Sequence, residues 1–286
     1  MVDVNAIDWN EAWKKPDKEE GKKAGFISCG RRWNDPARCR RFSDAMKEDD
    51  WAGSMSRIHS MDIHPHSRVL DVGAGPGSLA IPLAKTVAHV TAVEPSKGMV
   101  TCLRENIAEA GIFNITFVPK KWEDVDINSD LDTPYDIVVA SYSLGFPDLQ
   151  DGLKKMNEAS SKYVYIFWFA DMRSPWQRNY SEIWEELYGV PVPTGKKPNI
   201  VFNLLNQMGI FANIEVTKEE SVHKYATFDD AVADQKEGLN LKTEKQEQVL
   251  RKYLEKKLKR EDGKFVHREI SHRAKIWWEK EKIHEI

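Results

Sequence analysis

The sequence predicts an α/β fold with a doubly wound, seven-stranded sheet, mostly parallel with an antiparallel strand seven, plus helical insertions. Between residue 66 and about residue 170, short apolar runs alternate regularly with helical patterns. These runs are almost continuously apolar, which is typical of strands buried on both faces. After the first run, three glycines separate the end of a strand from the start of a helix.

The central stretch is residues 68–77, where an apolar run ends at Asp71 and glycines follow at 73, 75 and 77. Glycine is needed where φ is positive or where a ligand lies against bare main chain. Amides at the start of the next helix favour electron-rich groups. The spacing is G-x-G-x-G, not the G-x-G-x-x-G of dinucleotide sites. It therefore predicts a nucleotide-type ligand without settling which one.

A second acid supports this interpretation. The next apolar run ends at Glu94, nineteen residues after Gly75. About 20 residues is the separation expected for the acid that accepts the ribose hydroxyl hydrogens. A carboxylate suits a diol because its two oxygens can accept two O–H donors. The alternative is a solvated acid at the end of a strand. Together, the two stretches predict an adenosine-type ligand.

The remaining elements are predicted from periodicity, caps and breakers. The predicted strands are 68–72, 88–93, 115–118, 135–140, 163–169, 214–222 and 265–278, with the last antiparallel to the sixth. The predicted helices are 51–64, 77–86, 96–111, 149–160, 199–209, 227–237 and 243–260. Trp9 and Trp13 add an amphipathic helix near the start. We expect an N-terminal helical cap over 1–64 and a catalytic domain over 65–286, with insertions at about 171–197 and 227–260.

Composition limits the classes of function. The chain has 286 residues, 41% of them hydrophobic, so it can bury a full core. Its net charge of −3 implies no general attraction to nucleic acid. No apolar run reaches the ~18 residues that span a bilayer, so no membrane partner is expected. Cys29, Cys39 and Cys102 show neither metal spacing nor a disulfide framework. We therefore expect no metal and a cytoplasmic location.

The motif at 68–77, its preceding acid and the order of elements resemble class I S-adenosylmethionine-dependent methyltransferases, and most closely the ubiquinone/menaquinone branch with small-molecule acceptors. The motif resemblance covers about residues 66–170. It implies a Rossmann-like fold and S-adenosylmethionine as cofactor. By this resemblance Asp71, Gly73, Ala74 and Gly75 would line the methionine end. Glu94 would bind the ribose, and Pro95 and Met99 would lie beside the adenine.

The resemblance also has departures. After strand three the family commonly has a Gly-Asp pair, whereas this chain has Lys120 and Lys121. The backbone amides of Lys121 and Trp122 would still meet the adenine edge, and the Trp122 ring could cover its face or pack elsewhere. Strand four leads into Ser141, which would line the cofactor, followed by Tyr142 and Ser143. The Asn/Asp-Pro-Pro-aromatic loop of amide and base methyltransferases is absent there, which argues against a nucleic-acid acceptor.

The acceptor pocket is expected between residues 26–42, loop 141–147 and insertion 171–197. Five arginines around an aromatic at 31–42 either hold a carboxylate or phosphate or form an exposed helix face; Asp171, Arg173 and His223 are possible polar contacts. Methyl transfer from a sulfonium mainly needs alignment and exclusion of water, so the sequence identifies no catalytic residue. Oligomeric state is also left open.

Three functions remain, ahead of a nicotinamide dehydrogenase as a fourth. The first is methylation of a small molecule. The second is RNA or protein methylation, with residues 242–286, which carry 14 bases against 9 acids, as the docking face. The third is a non-catalytic protein that binds S-adenosylmethionine.

Overall fold

The computed structural model describes residues 6–14, 33, 35–48, 50–171, 178–192 and 198–280. Arg31, Arg32 and Arg173, which the sequence had suggested as polar contacts, lie outside these ranges. Within them, no helix is both long and apolar enough to cross a bilayer.

One mixed sheet forms the centre of the molecule, in the order β3-β2-β1-β4-β5-β8-β6, with β7 paired to β8. The strands are β1 (Arg68–Val72), β2 (His89–Val93), β3 (Ile115–Val118), β4 (Tyr135–Ser141), β5 (Ser160–Phe169), β6 (Asn213–Tyr225), β7 (Lys259–Glu261) and β8 (Lys264–Glu279). Strands β1 to β5 pair in parallel, and β8 is antiparallel to both β5 and β6. The predicted fold class is confirmed.

The eighth strand is the short β7, which the sequence prediction missed. Asp262 and Gly263 have φ of 49° and 76°, and they link β7 to β8 as a two-residue hairpin turn. Asp-Gly is a strong signal for such a turn because both central residues need positive φ. The helix predicted over 243–260 therefore ends earlier, at Lys257.

Ten α-helices surround the sheet in the described residues. They are α1 (Trp9–Lys14), α2 (Pro36–Glu48), α3 (Ala52–His59), α4 (Ala80–Ala84), α5 (Lys97–Ala110), α6 (Leu149–Ala159), α7 (Trp184–Tyr188), α8 (Pro198–Gln207), α9 (Phe228–Gly238) and α10 (Glu244–Lys257). The predicted cap at Ser96 is confirmed, since its hydroxyl accepts the Met99 N–H. Thr227 and Asp230 form a full capping box at the start of α9.

Two further predicted helices are also shorter than expected. The helix predicted over 77–86 spans only α4, because three successive positive-φ glycines, ending at Gly77, delay the helical conformation. The helix predicted over 51–64 ends at His59, where Ser60 closes the last turn. The two ends of a helix are less strongly encoded than its apolar face.

Both faces of the sheet are covered by apolar cores. Val138, Ile166 and Ile276 belong to the core shared with α1, α6 and α8. The opposite face packs Ile58 and Leu103 from α3 and α5 against the sheet. Burial on both faces explains the continuous apolar runs in the strands.

A third core forms a helical lobe, made of residues 178–192 and 228–258. Its buried members include Tyr180, Trp184, Val232, Leu250 and Tyr253. Strand β8 pairs with β5 only as far as Phe169 opposite Arg273, so residues 264–272 extend past the carboxyl end of β5. The lobe contacts this extension, with the rings of Phe228 and Phe265 5.8 Å apart. It therefore lies beside the carboxyl edge of the sheet, where ligands bind in such folds.

Candidate cofactor and acceptor site

The glycine turn after β1 is shaped by its neighbours on β2 and β4. The N–H groups of Gly73 and Ala74 both donate to the Val93 carbonyl, at 2.8 and 3.0 Å. A Cβ at Gly73 would lie 2.3 Å from the Cβ of Ser143, whereas at Gly75 nothing lies within 4 Å. Gly73 thus allows close packing, and Gly75 leaves open space beside the main chain.

Glu94 is fixed at the end of β2 by two backbone amides. One oxygen accepts from Gly75 N–H at 2.9 Å and the other from Ser96 N–H at 2.8 Å. Burial raises the pKa of Glu94, and these two amides oppose the rise. Each oxygen retains a lone pair, so the carboxylate can accept two more donors.

Asp71 at the end of β1 is a buried carboxyl with an unused oxygen. Its Oδ2 has no hydrogen-bond partner among the described residues, and the residue is 1% exposed. Burial, reinforced by the charge of Glu94, raises the pKa of Asp71 to about 7, while Arg57 opposes the rise. An unsatisfied buried carboxyl is costly, which indicates a ligand with a donor or positive charge.

Arg57 on α3 complements Asp71, and sequence reasoning missed it. Its Nη2 donates to Ser54 Oγ at 2.9 Å, but its buried Nε has no partner in the described structure. The guanidinium carbon lies 5.4 Å from the centre of the Tyr142 ring. The sequence showed only helical periodicity here; one arginine within it carried no separate signal.

The loop after β4 closes against the glycine turn. Ser141 is half-buried at the end of β4, and Tyr142 takes a positive φ of 55°. The Tyr142 N–H donates to Phe167 O at 2.9 Å, and the Ser143 hydroxyl donates to Val72 O. Helix α1 fixes the far end of the loop, because the Trp13 indole donates to Phe146 O at 2.9 Å.

Arg273 continues this surface towards β8. Its guanidinium carbon lies 5.1 Å from the Tyr142 ring centre and 4.7 Å from that of Phe169. Its Nε donates to Glu219 on β6 at 3.2 Å. Burial raises the pKa of Tyr142, although Arg273 and Arg57 oppose it. The phenol therefore keeps its proton at neutral pH.

The predicted polar contacts Asp171 and His223 lie apart from each other. Asp171 follows β5, binds Arg178 at 2.6 Å and accepts the His272 N–H at 2.9 Å. The pKa of Asp171 is lowered because these donors outweigh its burial. His223 lies opposite His267 in the antiparallel β6–β8 pair. It lines a cleft of about 820 Å³ between α2, α3 and the distal half of β6.

The residues predicted for the adenine side differ in exposure. Pro95 and Lys121 are exposed, whereas Met99 is buried beside Cys39 and Cys102. The suggested stacking role of the Trp122 ring does not fit the structure. That ring is 4% exposed in the core, and its Nε1 donates to Gly152 O at 3.0 Å on α6.

The arginines of α2 are engaged within the chain. Arg38 and Arg41 pair with Glu237 of α9, and Arg40 pairs with Glu105 of α5 at 2.8 Å. The hypothesis that these three hold an anionic substrate is therefore not supported. These three arginines instead connect α2 to α5 and to the helical lobe. This agrees with the alternative that they form an exposed helix face.

Comparisons with known proteins agree with this geometry. Residues 69–162 match the family model described as "Methyltransferase domain". These residues form a methyltransferase domain. The chain is accordingly an S-adenosylmethionine-dependent methyltransferase.

Two further similarities cover most of the chain. An uncharacterised protein of Haemophilus influenzae is 29% identical over 79% of this chain and 81% of its own length. The crystal structure of a proposed methyltransferase from Bacillus halodurans aligns with a TM-score of 0.56 at 18% identity, covering 82% of this chain and all of that one. At that identity the second similarity shows the fold alone.

A third similarity is local. The 23S rRNA (uracil(1939)-C(5))-methyltransferase RlmD of Klebsiella pneumoniae is 41% identical over 64 residues, or 22% of this chain. The matched part is only 15% of that rRNA methyltransferase. Such a match does not extend to the rest of that protein.

The orphaned atoms fit the methionine end of the cofactor. That end carries an ammonium and a carboxylate, whereas the crevice offers the unsatisfied Asp71 Oδ2 and the unsatisfied Arg57 Nε. The ribose carries two hydroxyls, which suits the free lone pairs of Glu94. Open space at Gly75 leaves room for the ligand between them.

Proposed function

We propose that the protein methylates a small-molecule acceptor at the carboxyl edge of the sheet. The proposed cofactor residues are those predicted from the sequence, with Trp122 contributing its backbone only, and with Arg57 added. They are Asp71, Gly73, Ala74, Gly75, Glu94, Pro95, Met99, Lys121, Trp122, Ser141 and Arg57. The observation that carries the proposal is the buried carboxyl of Asp71 beside the half-buried Arg57, each with a buried polar atom that has no partner in the described structure.

When bound, S-adenosylmethionine supplies a methyl group on a positively charged sulfur, which needs no further activation. The chain then has to align the acceptor and exclude water. Tyr142 and the rest of loop 141–147 border both the cofactor crevice and the surface towards Arg273, so they suit alignment. The raised pKa of Tyr142 makes its hydroxyl a hydrogen-bond partner, not a base. The catalytic residue stays unidentified.

A small acceptor is favoured over RNA by the arginines of the C-terminal region. Arg251 pairs with Asp229 and Glu247, and Arg268 pairs with Glu261. Nucleic acid binding needs cations that can neutralise phosphates. Cations already paired with acids are poorly suited to this, so Arg251 and Arg268 would contribute little to a docking face for RNA.

Calorimetric titration with S-adenosylmethionine tests the cofactor residues. Glu94→Ala should weaken affinity by ~1–3 kcal/mol, the scale of hydrogen bonds to a charged group. Arg57→Met should weaken it by a similar ~1–3 kcal/mol. Arg104→Met is the matched control, because Arg104 is exposed on α5 and stacks on Phe117. Unchanged affinity in Glu94→Ala or Arg57→Met would remove that residue from the site.

The acceptor class is tested by turnover. Release of S-adenosylhomocysteine with a panel of small molecules, at a rate insensitive to salt, is expected. Activity only with RNA or protein, falling steeply with salt, would favour the second function. No release with any acceptor would favour a non-catalytic binding protein. The cytoplasmic location, the domain boundaries at 64 and 65 and the ubiquinone-type branch stay predictions.

A further inference from the structure

Strand β6 is the edge of the sheet, and it is long and exposed. It spans Asn213–Tyr225, and on its outer side no other strand of the described chain pairs with it. Every residue of the strand is exposed except Ser221 and Tyr225, which are half-buried. Proteins usually block such edges, because unpaired N–H and C=O groups invite another strand. This edge is therefore suited to pairing with a partner, and its residues 219–225 also line the cleft bordered by α2 and α3.

One face of the β6–β8 pair adds exposed apolar side chains. Val216 is 56% exposed, and Val222 is 40% exposed on the same face of the strand. The other exposed apolar residues of this face are Ile214 at 45% and Ile270 at 45%. Alternating residues of a strand share one face, and the register places Glu220 beside Ile270. These four side chains form an apolar strip beside the open edge.

The sequence of β6 is complementary to itself. We propose that β6 of a second copy of this chain pairs antiparallel with it, with Glu219 of both copies at the two-fold axis. The pairs across the interface, each occurring twice by symmetry, would be Lys218–Glu220, Thr217–Ser221, Val216–Val222 and Glu215–His223. The first three pairs join a lysine to a glutamate, a threonine to a serine, and two valines. Opposite-charge, hydroxyl and β-branched pairs of this kind stabilise neighbouring strands.

Neighbouring registers lack this agreement. Only alternate residues of β6 point their N–H and C=O groups to the open edge, and these residues must pair with their counterparts in the second copy. The two-fold axis can therefore pass through a residue but not between two residues. Centring on Lys218 would place Val216 opposite Glu220. Centring on Glu220 would place Lys218 opposite Val222. Both shifts bury a charge against an apolar side chain, which disfavours them.

The like charges at the axis are already neutralised. Each Glu219 accepts from Arg273 of its own chain at 3.2 Å. The two carboxylates would therefore face each other as ion pairs instead of bare charges. Glu219 and Arg273 adjoin Tyr142 at the border of the proposed acceptor surface, but the pairing uses the backbone edge of β6 and does not rest on the proposed function.

Sedimentation velocity over a range of protein concentrations tests the pairing. The wild-type chain should dimerise. Lys218→Glu should raise the dimer dissociation constant by about tenfold or more, because it creates two Glu–Glu contacts. Glu220→Lys should do the same through two Lys–Lys contacts. The double variant Lys218→Glu/Glu220→Lys should restore the dimer, because it restores both opposite-charge pairs.

The controls are Lys245→Glu and Glu255→Lys, the same charge changes at exposed positions of α10. They should leave the dissociation constant unchanged. Glu220 also lies 3.5 Å from Arg268 of its own chain, so thermal unfolding must show that each variant is folded. If a variant fails to fold, hydrogen exchange of the wild-type β6 amides decides, and it should slow as protein concentration rises. A monomeric wild type at ~100 μM, or a double variant that stays monomeric, would overturn the proposal.

Discussion

Asp71 stands out at the residue scale because its environment disfavours the charge that the ligand would need. Burial raises the pKa of this carboxyl to about 7, and one oxygen has no partner in the described structure. Buried, unsatisfied groups of this kind destabilise the fold and concentrate at functional sites. We infer that the position is retained for binding at the expense of stability.

Asp71→Asn should separate these two effects. The folded-state pKa lies above the unfolded value near 3.9, so the folded state binds more protons between about pH 4 and pH 7. Stability of the wild-type protein is therefore lost as pH rises through this window, on the order of 2–4 kcal/mol in total. Asn cannot ionise, so thermal unfolding should show a larger gain for the variant at pH 8 than at pH 4.5.

The same substitution should weaken binding of S-adenosylmethionine, measured by titration at pH 8. Wild-type affinity should rise with pH through about pH 7, because the ionised carboxylate attracts an ammonium group. Asp132→Asn is the control, since the Asp132 side chain is 92% exposed. A wild-type protein whose affinity does not change between pH 6 and pH 8 would contradict the role given to Asp71.

At the scale of the element, the glycine turn could be predicted from the sequence, but the different structural roles of Gly73 and Gly75 could not. The strand, the acid and the helix after the turn follow from an apolar run and from spacing. What each glycine does depends on its neighbours across the sheet. A side chain at Gly73 would collide with Ser143, whereas a side chain at Gly75 would enter open space.

Alanine substitutions should expose this difference. Gly73→Ala combines a φ of 78° with a Cβ only 2.3 Å from the Cβ of Ser143, so it should lower the free energy of unfolding by more than ~2 kcal/mol. Gly75→Ala has only the backbone cost of its φ of 58°, about 1 kcal/mol. Gly75→Ala should nevertheless weaken cofactor binding, because the added methyl group would enter the open space proposed for the ligand. Denaturant unfolding and titration give the two quantities; equal stability losses would contradict this division.

Elements encoded by several agreeing local signals were the ones predicted well. Helix α5 has an apolar face, Ser96 as its cap and Gly111 as its left-handed end, and its predicted bounds are confirmed. Strand β7 has only three residues and depends on the Asp262–Gly263 turn. A strand of three residues is too short to show a periodic pattern of apolar residues, so the Asp262–Gly263 turn was its only signal in the sequence.

At the scale of the whole molecule, side-chain partners brought together from distant parts of the chain could not be predicted. Arg57 lies over the Tyr142 ring and near enough to Asp71 to lower its pKa only because α3 packs against β1 and β4. The arginines of α2 appeared available in the sequence, but α9, nearly 200 residues later, supplies Glu237. Local patterns define elements, whereas ion pairs and orphaned atoms depend on the packing of those elements.

The helical lobe contains no sequence motif that indicates a function. It packs on residues 264–272 of β8, which extend beyond β5, next to the carboxyl edge. Its position gives it a role in bounding the acceptor region under the proposed function. The motif at 68–77 does not reach this region, so it specifies the cofactor far better than the acceptor.

A crystal structure with S-adenosylhomocysteine would examine the cofactor site most directly. We expect the adenosyl group beside Gly75, the ribose hydroxyls on the Glu94 carboxylate, and the amino-acid end between Asp71 and Arg57. A crevice that stays empty at saturating ligand, or a ligand bound away from both Asp71 and Glu94, would contradict the proposed site.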